Sequence, residues 1–356
     1  MLEGVKILDL SRLLPGPMAS WYLRGLGAQV VKVEDPQVGD YLRYSPPFDA
    51  QGRSIWFTTI NAGARSLALD LKERTAQEQL RSMLSTTDVL LESFRPGVMA
   101  RLGLDPQALR AEYPHLIIAS ISGFGQTGPR ADEPGHDLGY CGLAGALSLG
   151  ARYDGVPALP ALPIADLAGG ALTAAMTICG ALFARERTGD GRWLDLSMTE
   201  GVLAMMAPFL AAAAEGHEQP PGQTFLTGGW ARYGLHRCAD DRLISLAAIE
   251  DRFWERLGEL LGGPVEEDAE SLAARFAERS RDDWAQLLAP ACVTPVLELK
   301  EVLTHSLHQQ RGAWRGEGAS QRVAPPFFSD PETVTRPAPA LGEANGELLA
   351  PAAKEP

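Results

Sequence analysis

Between residues 5 and 122, short apolar strands alternate with helical segments, and this alternation restricts the chain more than any other feature. Val5-Lys6-Ile7-Leu8-Asp9-Leu10 predicts a strand, Leu14 to Pro17 a turn and Met18 to Leu26 a helix closed by Gly27. Residues 28–34, rich in β-branched side chains, predict a second strand. Ser66 to Leu71 predicts another, followed by a charged amphipathic helix over 74–84 and strands over 89–92 and 116–122. Strands separated by helices pair in parallel through crossovers. The expected fold class is therefore α/β, with a doubly wound, mostly parallel, Rossmann-like sheet and helices on both faces.

After Gly135 the pattern changes to apolar helices over 138–149, 167–187 and 201–214, then to a Gly/Pro-rich polar stretch at 216–229. Beyond Trp230 two strands are expected (233–239 and 243–248), and then helices rich in Glu, Arg and Leu. A chain of 356 residues exceeds what one core usually holds. The expected division is a large domain of 1–215 plus a returning tail 305–356, a linker at 216–229 and a smaller α+β domain at 230–304. The proline-dense tail from Pro325 is expected to lie over a neighbouring element. Leu167 to Ala184 is 18 residues without a charge, the lower edge of a membrane span. Its Ala, Gly and Thr content suits a helix packed inside protein, so no membrane association is expected.

Composition removes several function classes. Lys plus Arg number 32 against 45 Asp plus Glu, a net charge of −13, which disfavours binding to nucleic acid through phosphate neutralisation. Cys141, Cys179, Cys238 and Cys292 lie far apart without a CxxC pair, and the N-terminus lacks a basic, then apolar, leader. Reduced thiols and a cytoplasmic location are the expectation. The turn after the first strand holds one glycine between two prolines where a dinucleotide fingerprint needs three glycines and free N–H groups, and no phosphate-binding P-loop pattern occurs.

Three segments could carry chemistry. Ser122-Gly-Phe-Gly-Gln-Thr-Gly-Pro129 leads to Gly135-His136-Asp137 at a helix start, where free N–H groups can meet a developing anion. Asp166 heads an apolar helix containing Gly169 and Gly170. Glu250 stands at the strand-to-helix junction of the second lobe. Taken singly, Asp137 and Asp166 read equally well as helix caps, and Glu250 as a first-turn acid favoured by the helix dipole.

Taken together, these segments resemble the family III CoA-transferases and, within them, the α-methylacyl-CoA racemase branch. The resemblance runs nearly end to end. It covers Gly4-Val-Lys-Ile-Leu-Asp-Leu-Ser-Arg12, Pro15-Gly16-Pro17, Leu67-Ala-Leu-Asp-Leu-Lys72, Glu92-Ser-Phe-Arg-Pro-Gly-Val98 and Ile121-Ser-Gly-Phe-Gly-Gln-Thr-Gly-Pro129. It continues through Gly135-His-Asp137, the Asp166 segment, Arg237-Cys-Ala-Asp240, Ile249-Glu250 and Ala291-Cys-Val-Thr-Pro-Val-Leu297. The resemblance implies an isomerase of fatty acid metabolism that inverts the α-carbon of 2-methylacyl-CoA thioesters. His136 and Asp166 would be its two acid/base groups, Glu250 the holder of the histidine, and coenzyme A part of the substrate, with no separate cofactor and no metal. It also implies an interlocked homodimer in which Glu250 reaches His136 across the dimer.

In the transferase branch the residue matching Asp166 is instead a nucleophile that accepts an acyl group and then CoA, moving CoA between carboxylic acids. Those enzymes commonly lack the Gly-His-Asp histidine, so His136 with Glu250 favours the racemase. A non-catalytic acyl-CoA-binding protein is a third reading. Two bases on opposite faces of the α-carbon are an economical way to invert it. The enolate would meet N–H groups around Asp137. Arg95, Arg65 and Arg43 match positions expected on the CoA phosphates, with Pro17 and Leu71 also at CoA-contact positions. This chain has Ala64-Arg65 where family members often carry Lys-Arg.

Overall fold

The computed structural model describes residues 1–150, 158–315, 321–325 and 336–349. The chain forms two compact units, one of residues 1–144, 162–206 and the chain from 309 on, the other of 145–161 and 207–308. The division after Met206 falls ahead of the polar 216–229 stretch.

The first unit is built on six strands, β1 (Lys6–Asp9), β2 (Gln29–Glu34), β3 (Arg65–Ala68), β4 (Val89–Glu92), β5 (Ile117–Ser122) and β6 (Trp193–Ser197). They lie in the order β3-β2-β1-β4-β5-β6, and every neighbouring pair is parallel. The order reverses between β1 and β4, which opens a crevice at the carboxyl ends of the strands, where ligands bind in folds of this type. The α/β class with a doubly wound parallel sheet is therefore as expected. β6 was not predicted, because it is short, carries Asp195 at its centre and follows a long helix.

The crossovers are α1 (Pro15–Gly25), α2 (Ile55–Ile60), α3 (Arg74–Leu84), α4 (Val98–Arg101) and α5 (Pro106–Glu112). Leu8, Leu10, Leu67 and Leu90 of the sheet meet Leu80 and Leu84 of α3 and Leu109 of α5 in one dry cluster. Shortening any one of them to Ala costs about 2–5 kcal/mol. The turn expected over Leu14–Pro17 is instead the start of α1, because a proline in the first helical turn lacks only an N–H that has no intrahelical partner.

Further along, α6 (Asp137–Leu143) ends well before the predicted Leu149, since Gly145 takes a left-handed φ of 81°. The helix expected over 167–187 is a π-helix (Ala165–Leu172) running into α7 (Thr173–Thr188). The helix expected over 201–214 breaks into α8 (Met198–Met205) and α9 (Ala207–Ala214), for Pro208 cannot donate back to the preceding turn. Ala165–Thr188 is long and apolar enough to cross a membrane by length and composition. Its glycines serve packing. A Cβ on Gly169 would lie 2.6 Å from the Met198 carbonyl oxygen, and one on Gly201 2.2 Å from that of Gly169. Part of the proline-dense tail lies outside the described residues. The segment 342–345 of the tail covers the outer edge of β3, where Asn345 accepts from the Ala68 N–H (2.8 Å) and donates to its carbonyl (3.1 Å), closing an exposed strand edge.

The second unit holds an antiparallel sheet of β7 (Tyr233–Arg237), β8 (Leu243–Ala247) and β9 (Val293–Pro295), with α10 (Asp251–Leu261), α11 (Ala269–Phe276) and α12 (Arg281–Leu288). Trp284 is fully buried against Phe276 and Leu257, and its indole N–H donates to the Phe276 carbonyl at 2.8 Å.

Candidate active site

In the first unit, β5 feeds the Gly-rich loop that ends at α6. Tyr140 of α6 explains two of its glycines, because a Cβ on Gly123 or Gly135 would come within 2.4 Å of the tyrosine ring. The ring also stands edge-on to Phe124 at 5.1 Å. The loop is thereby folded against the helix, and His136 emerges as an exposed residue at the N-cap with extended backbone (φ −138°, ψ 167°).

Asp137 does not cap its own helix. Its carboxylate accepts the backbone N–H of Asp166 at 2.9 Å and faces the Cys141 thiol at 3.7 Å. That bond ties the first turn of α6 to the π-helix. Asp166 is not a cap either, since Ile164 occupies that position and Asp166 lies in the wide first turn of the π-helix. Single π-turns recur at functional sites because they redirect one side chain out of helical register. Burial pushes the Asp166 carboxyl up to about 6, the negative charge of Asp137 adds to this, and His136 opposes it. The structure therefore brings His136, Asp137 and Asp166 together.

Glu250 belongs to the second unit. It is the N-cap residue of α10, yet its side chain makes no cap hydrogen bond, is 57% exposed and meets Arg252 only at 3.9 Å. The first-turn role that the dipole would favour is taken by Asp251.

The three arginines differ in commitment. Arg43 makes a two-pronged pair with Glu34 (2.8 and 2.7 Å), bonds the Pro339 carbonyl and stacks 3.9 Å over the Phe57 ring. Arg65 pairs with Glu347 at 2.7 Å. To hold a phosphate, either would have to give up a partner. Arg95 is exposed, and among the described residues it has no ion-pair partner. Pro17 is buried in the first turn of α1. Leu71 lines a cavity of about 210 Å³ near the carboxyl ends of the strands, with Arg12, Lys72 and Phe94.

Three residues of this edge escaped the sequence analysis. Tyr140 was not singled out, although it follows His136 by four positions, one helical turn. Burial, Asp166 and Asp137 raise its phenol above the ordinary value, and Arg95 acts against them. Glu92 and Asp195 flank Ser120 in one register row across β4, β5 and β6. Glu92 accepts the Phe94 N–H at 2.7 Å, and burial, with Asp195 adding, pushes it up to about 7. Asp195 takes the Gln126 N–H on both oxygens (2.9 and 3.1 Å) and so anchors the Gly-rich loop. No sequence signal marks this row, since it exists only once three separate strands pair.

Comparison with known proteins identifies the family. The model of CoA-transferase family III matches residues 2–345. Human alpha-methylacyl-CoA racemase is 36% identical, with 98% of this chain and 92% of that protein covered. Mouse succinyl-CoA:glutarate CoA-transferase is 30% identical, with 86% and 74% covered. A CAIB/BAIF family protein from Brucella suis superimposes with a TM-score of 0.84 at 29% identity, with 98% of each chain covered. Matched by the family model over residues 2–345 and by relatives at 36 and 30% identity, the chain belongs to CoA-transferase family III, an enzyme family that includes racemases and CoA-transferases.

Proposed function

We propose that this chain inverts the α-carbon of 2-methylacyl-CoA thioesters by two-base proton transfer through an enolate, with His136 and Asp166 as the two bases. The observation that carries this reading is the Asp166 carboxyl, raised to about 6 within the electrostatic reach of the His136 imidazole. A carboxyl so raised can take up and return a proton near neutrality, acting as acid in one direction and base in the other, with the His136 imidazole as its counterpart. Asp137 would hold the Asp166 backbone by the 2.9 Å bond. Coenzyme A enters as part of the substrate. Its nucleotide end suits the crevice near Leu71, Arg12 and Lys72, and Arg95, exposed and without an ion-pair partner among the described residues, is a further cation for its phosphates.

The same reading makes the working enzyme a cytoplasmic homodimer in which Glu250 serves the histidine of the second copy. An apolar stripe supports the dimer. Leu172, Met176 and Phe183 are 46, 71 and 62% exposed on one side of the Ala165–Thr188 helix, a face that a second copy would cover. The four cysteines are unpaired, in keeping with a reducing compartment.

The rival is CoA transfer between carboxylic acids through an Asp166 acyl and then CoA intermediate, favoured by the 30% identity to the succinyl-CoA:glutarate enzyme. A nucleophilic carboxylate has to be ionised, which the raised value of Asp166 works against. The deciding experiment incubates the protein in deuterated water with one epimer of a 2-methylacyl-CoA and no acceptor acid. Deuterium at the α-carbon together with the opposite epimer supports the racemase. No exchange, with CoA transfer once a free carboxylic acid is added, replaces it with the transferase.

A further inference from the structure

The corner that presents Glu250 is held by one side chain. Arg232 is 13% exposed, and its guanidinium lies between two indoles, 5.2 Å from the Trp230 ring and 5.1 Å from the Trp254 ring. From there it donates to the Ile249 carbonyl at 3.3 Å and to the Asp251 carboxylate at 2.6 Å. The other arm meets Glu267 at 2.9 Å, and Glu267 also accepts the Trp230 indole N–H. Through Nη1 Arg232 thus holds the Ile249 carbonyl before Glu250 and the Asp251 side chain after it, while Nη2 is anchored on Glu267.

We propose that Arg232 is a positioning residue that aims the Glu250 carboxylate by holding the Ile249 carbonyl on one side of it and the Asp251 carboxylate on the other. The inference rests on the reading of Glu250 as the partner of the catalytic histidine. Among the described residues of its own unit, the Glu250 carboxylate meets a cation only at Arg252, 3.9 Å away, and it caps nothing. The aim of such a side chain is set by its backbone. With one arm anchored on Glu267, the guanidinium holds its other arm in a fixed direction toward the corner, whereas a lysine would supply one point charge without that second anchor. The Trp230 and Trp254 rings, 5.2 and 5.1 Å away, lie within cation–π range of it.

The test is a cycle of Arg232→Lys, Glu250→Gln and the double variant in the full chain. It follows α-deuterium incorporation into 2-methylacyl-CoA across pH, with kcat and KM separated and thermal unfolding measured alongside. Arg232→Lys is expected to lower kcat about tenfold, since small misplacements of a reacting group cost one to two orders of magnitude. KM should stay within about twofold, and the pH profile should move in the same direction as in Glu250→Gln. In the Glu250→Gln background, Arg232→Lys should then cost less than about twofold, because the group it aims has lost its charge. Asp251→Asn weakens one anchor at an exposed position. It should shift kcat and the pH profile in the same sense, by less, and it serves if Arg232→Lys does not fold.

Equal losses from Arg232→Lys in both backgrounds, or losses that only follow the melting temperature, would overturn the proposal and make Arg232 a pin of the fold. A Glu250→Gln enzyme that loses turnover while Arg232→Lys and Asp251→Asn keep theirs overturns this inference alone. A Glu250→Gln enzyme with wild-type kcat and pH profile overturns the reading of Glu250 itself.

Discussion

The two acids proposed for the reaction sit in opposite circumstances. Asp166 is largely withdrawn from water in a π-turn of the first unit, and its own neighbours raise its carboxyl to about 6. Glu250 projects from the second unit, 57% exposed, from a corner gripped on both sides by Arg232. The first acid is tuned by what surrounds its side chain, and the second is aimed through its backbone. A carboxyl that must exchange a proton near neutrality needs a shifted affinity, which burial supplies. One that orients another residue needs direction, which the Arg232 contacts on either side supply.

The contrast predicts the largest losses at the tuned pair. Asp166→Asn or His136→Ala should lower inversion of the α-carbon by about 10²–10⁴-fold with little change in folding, as removal of a general acid or base does. Chiral analysis of the product from each epimer would show it. Retention of inversion in both variants would break the assignment of the pair. A pH profile sharpens it further: turnover in the direction that needs Asp166 as a base should decline as pH falls through about 6, where that carboxyl takes up its proton.

Glu250→Gln should cost less, about ten- to a hundredfold in kcat, because it removes an orienting charge and not a proton carrier. Its exposed side chain caps nothing, so the melting temperature should hold. A fall in stability as large as that in activity would erase the distinction between the aimed and the tuned acid.

The arginines extend the comparison to binding. Arg95→Ala is expected to raise the KM for acyl-CoA about tenfold without destabilising the protein, since one exposed, unpaired charge is lost. Arg43→Ala should instead cost about 1–3 kcal/mol of stability in denaturant unfolding, because it leaves the buried Glu34 carboxylate without its two-pronged partner.

The last effect is on stability and depends on pH; it falls at Glu92, a carboxyl buried like that of Asp166. Its folded value of about 7 lies above the ordinary 4.5, so the folded state binds the proton more tightly than the unfolded one. Stability is then greatest below about 4.5 and declines as pH rises through 7. Glu92→Gln should remove that decline, gaining up to about 3 kcal/mol over wild type at pH 8 and little at pH 5. Parallel unfolding curves at the two pH values would check it.

Much of the first unit was legible beforehand. The apolar runs at β1, β4 and β5 and the amphipathic α3 were placed within a residue or two, because burial on a sheet face imposes its period on neighbouring residues. What failed was chemistry that local pattern does not carry. Pro15-Gly16-Pro17 reads as a turn by composition and becomes a helix start by packing. Asp195 interrupts a strand that pairs all the same.

The sequence by itself determined the α/β class and the family, and it singled out His136, Asp166 and Glu250 as candidates, since these rest on residue types in order along the chain. Tertiary structure alone decided that Asp137 bonds the Asp166 backbone and not its own helix, that Arg43 is committed to Glu34 while Arg95 has no ion-pair partner among the described residues, and that Arg232 holds the Glu250 corner. Each of these is a matter of distance between residues remote in sequence, and hydrogen bonds and charge interactions depend on separation in space, which no single stretch of chain encodes.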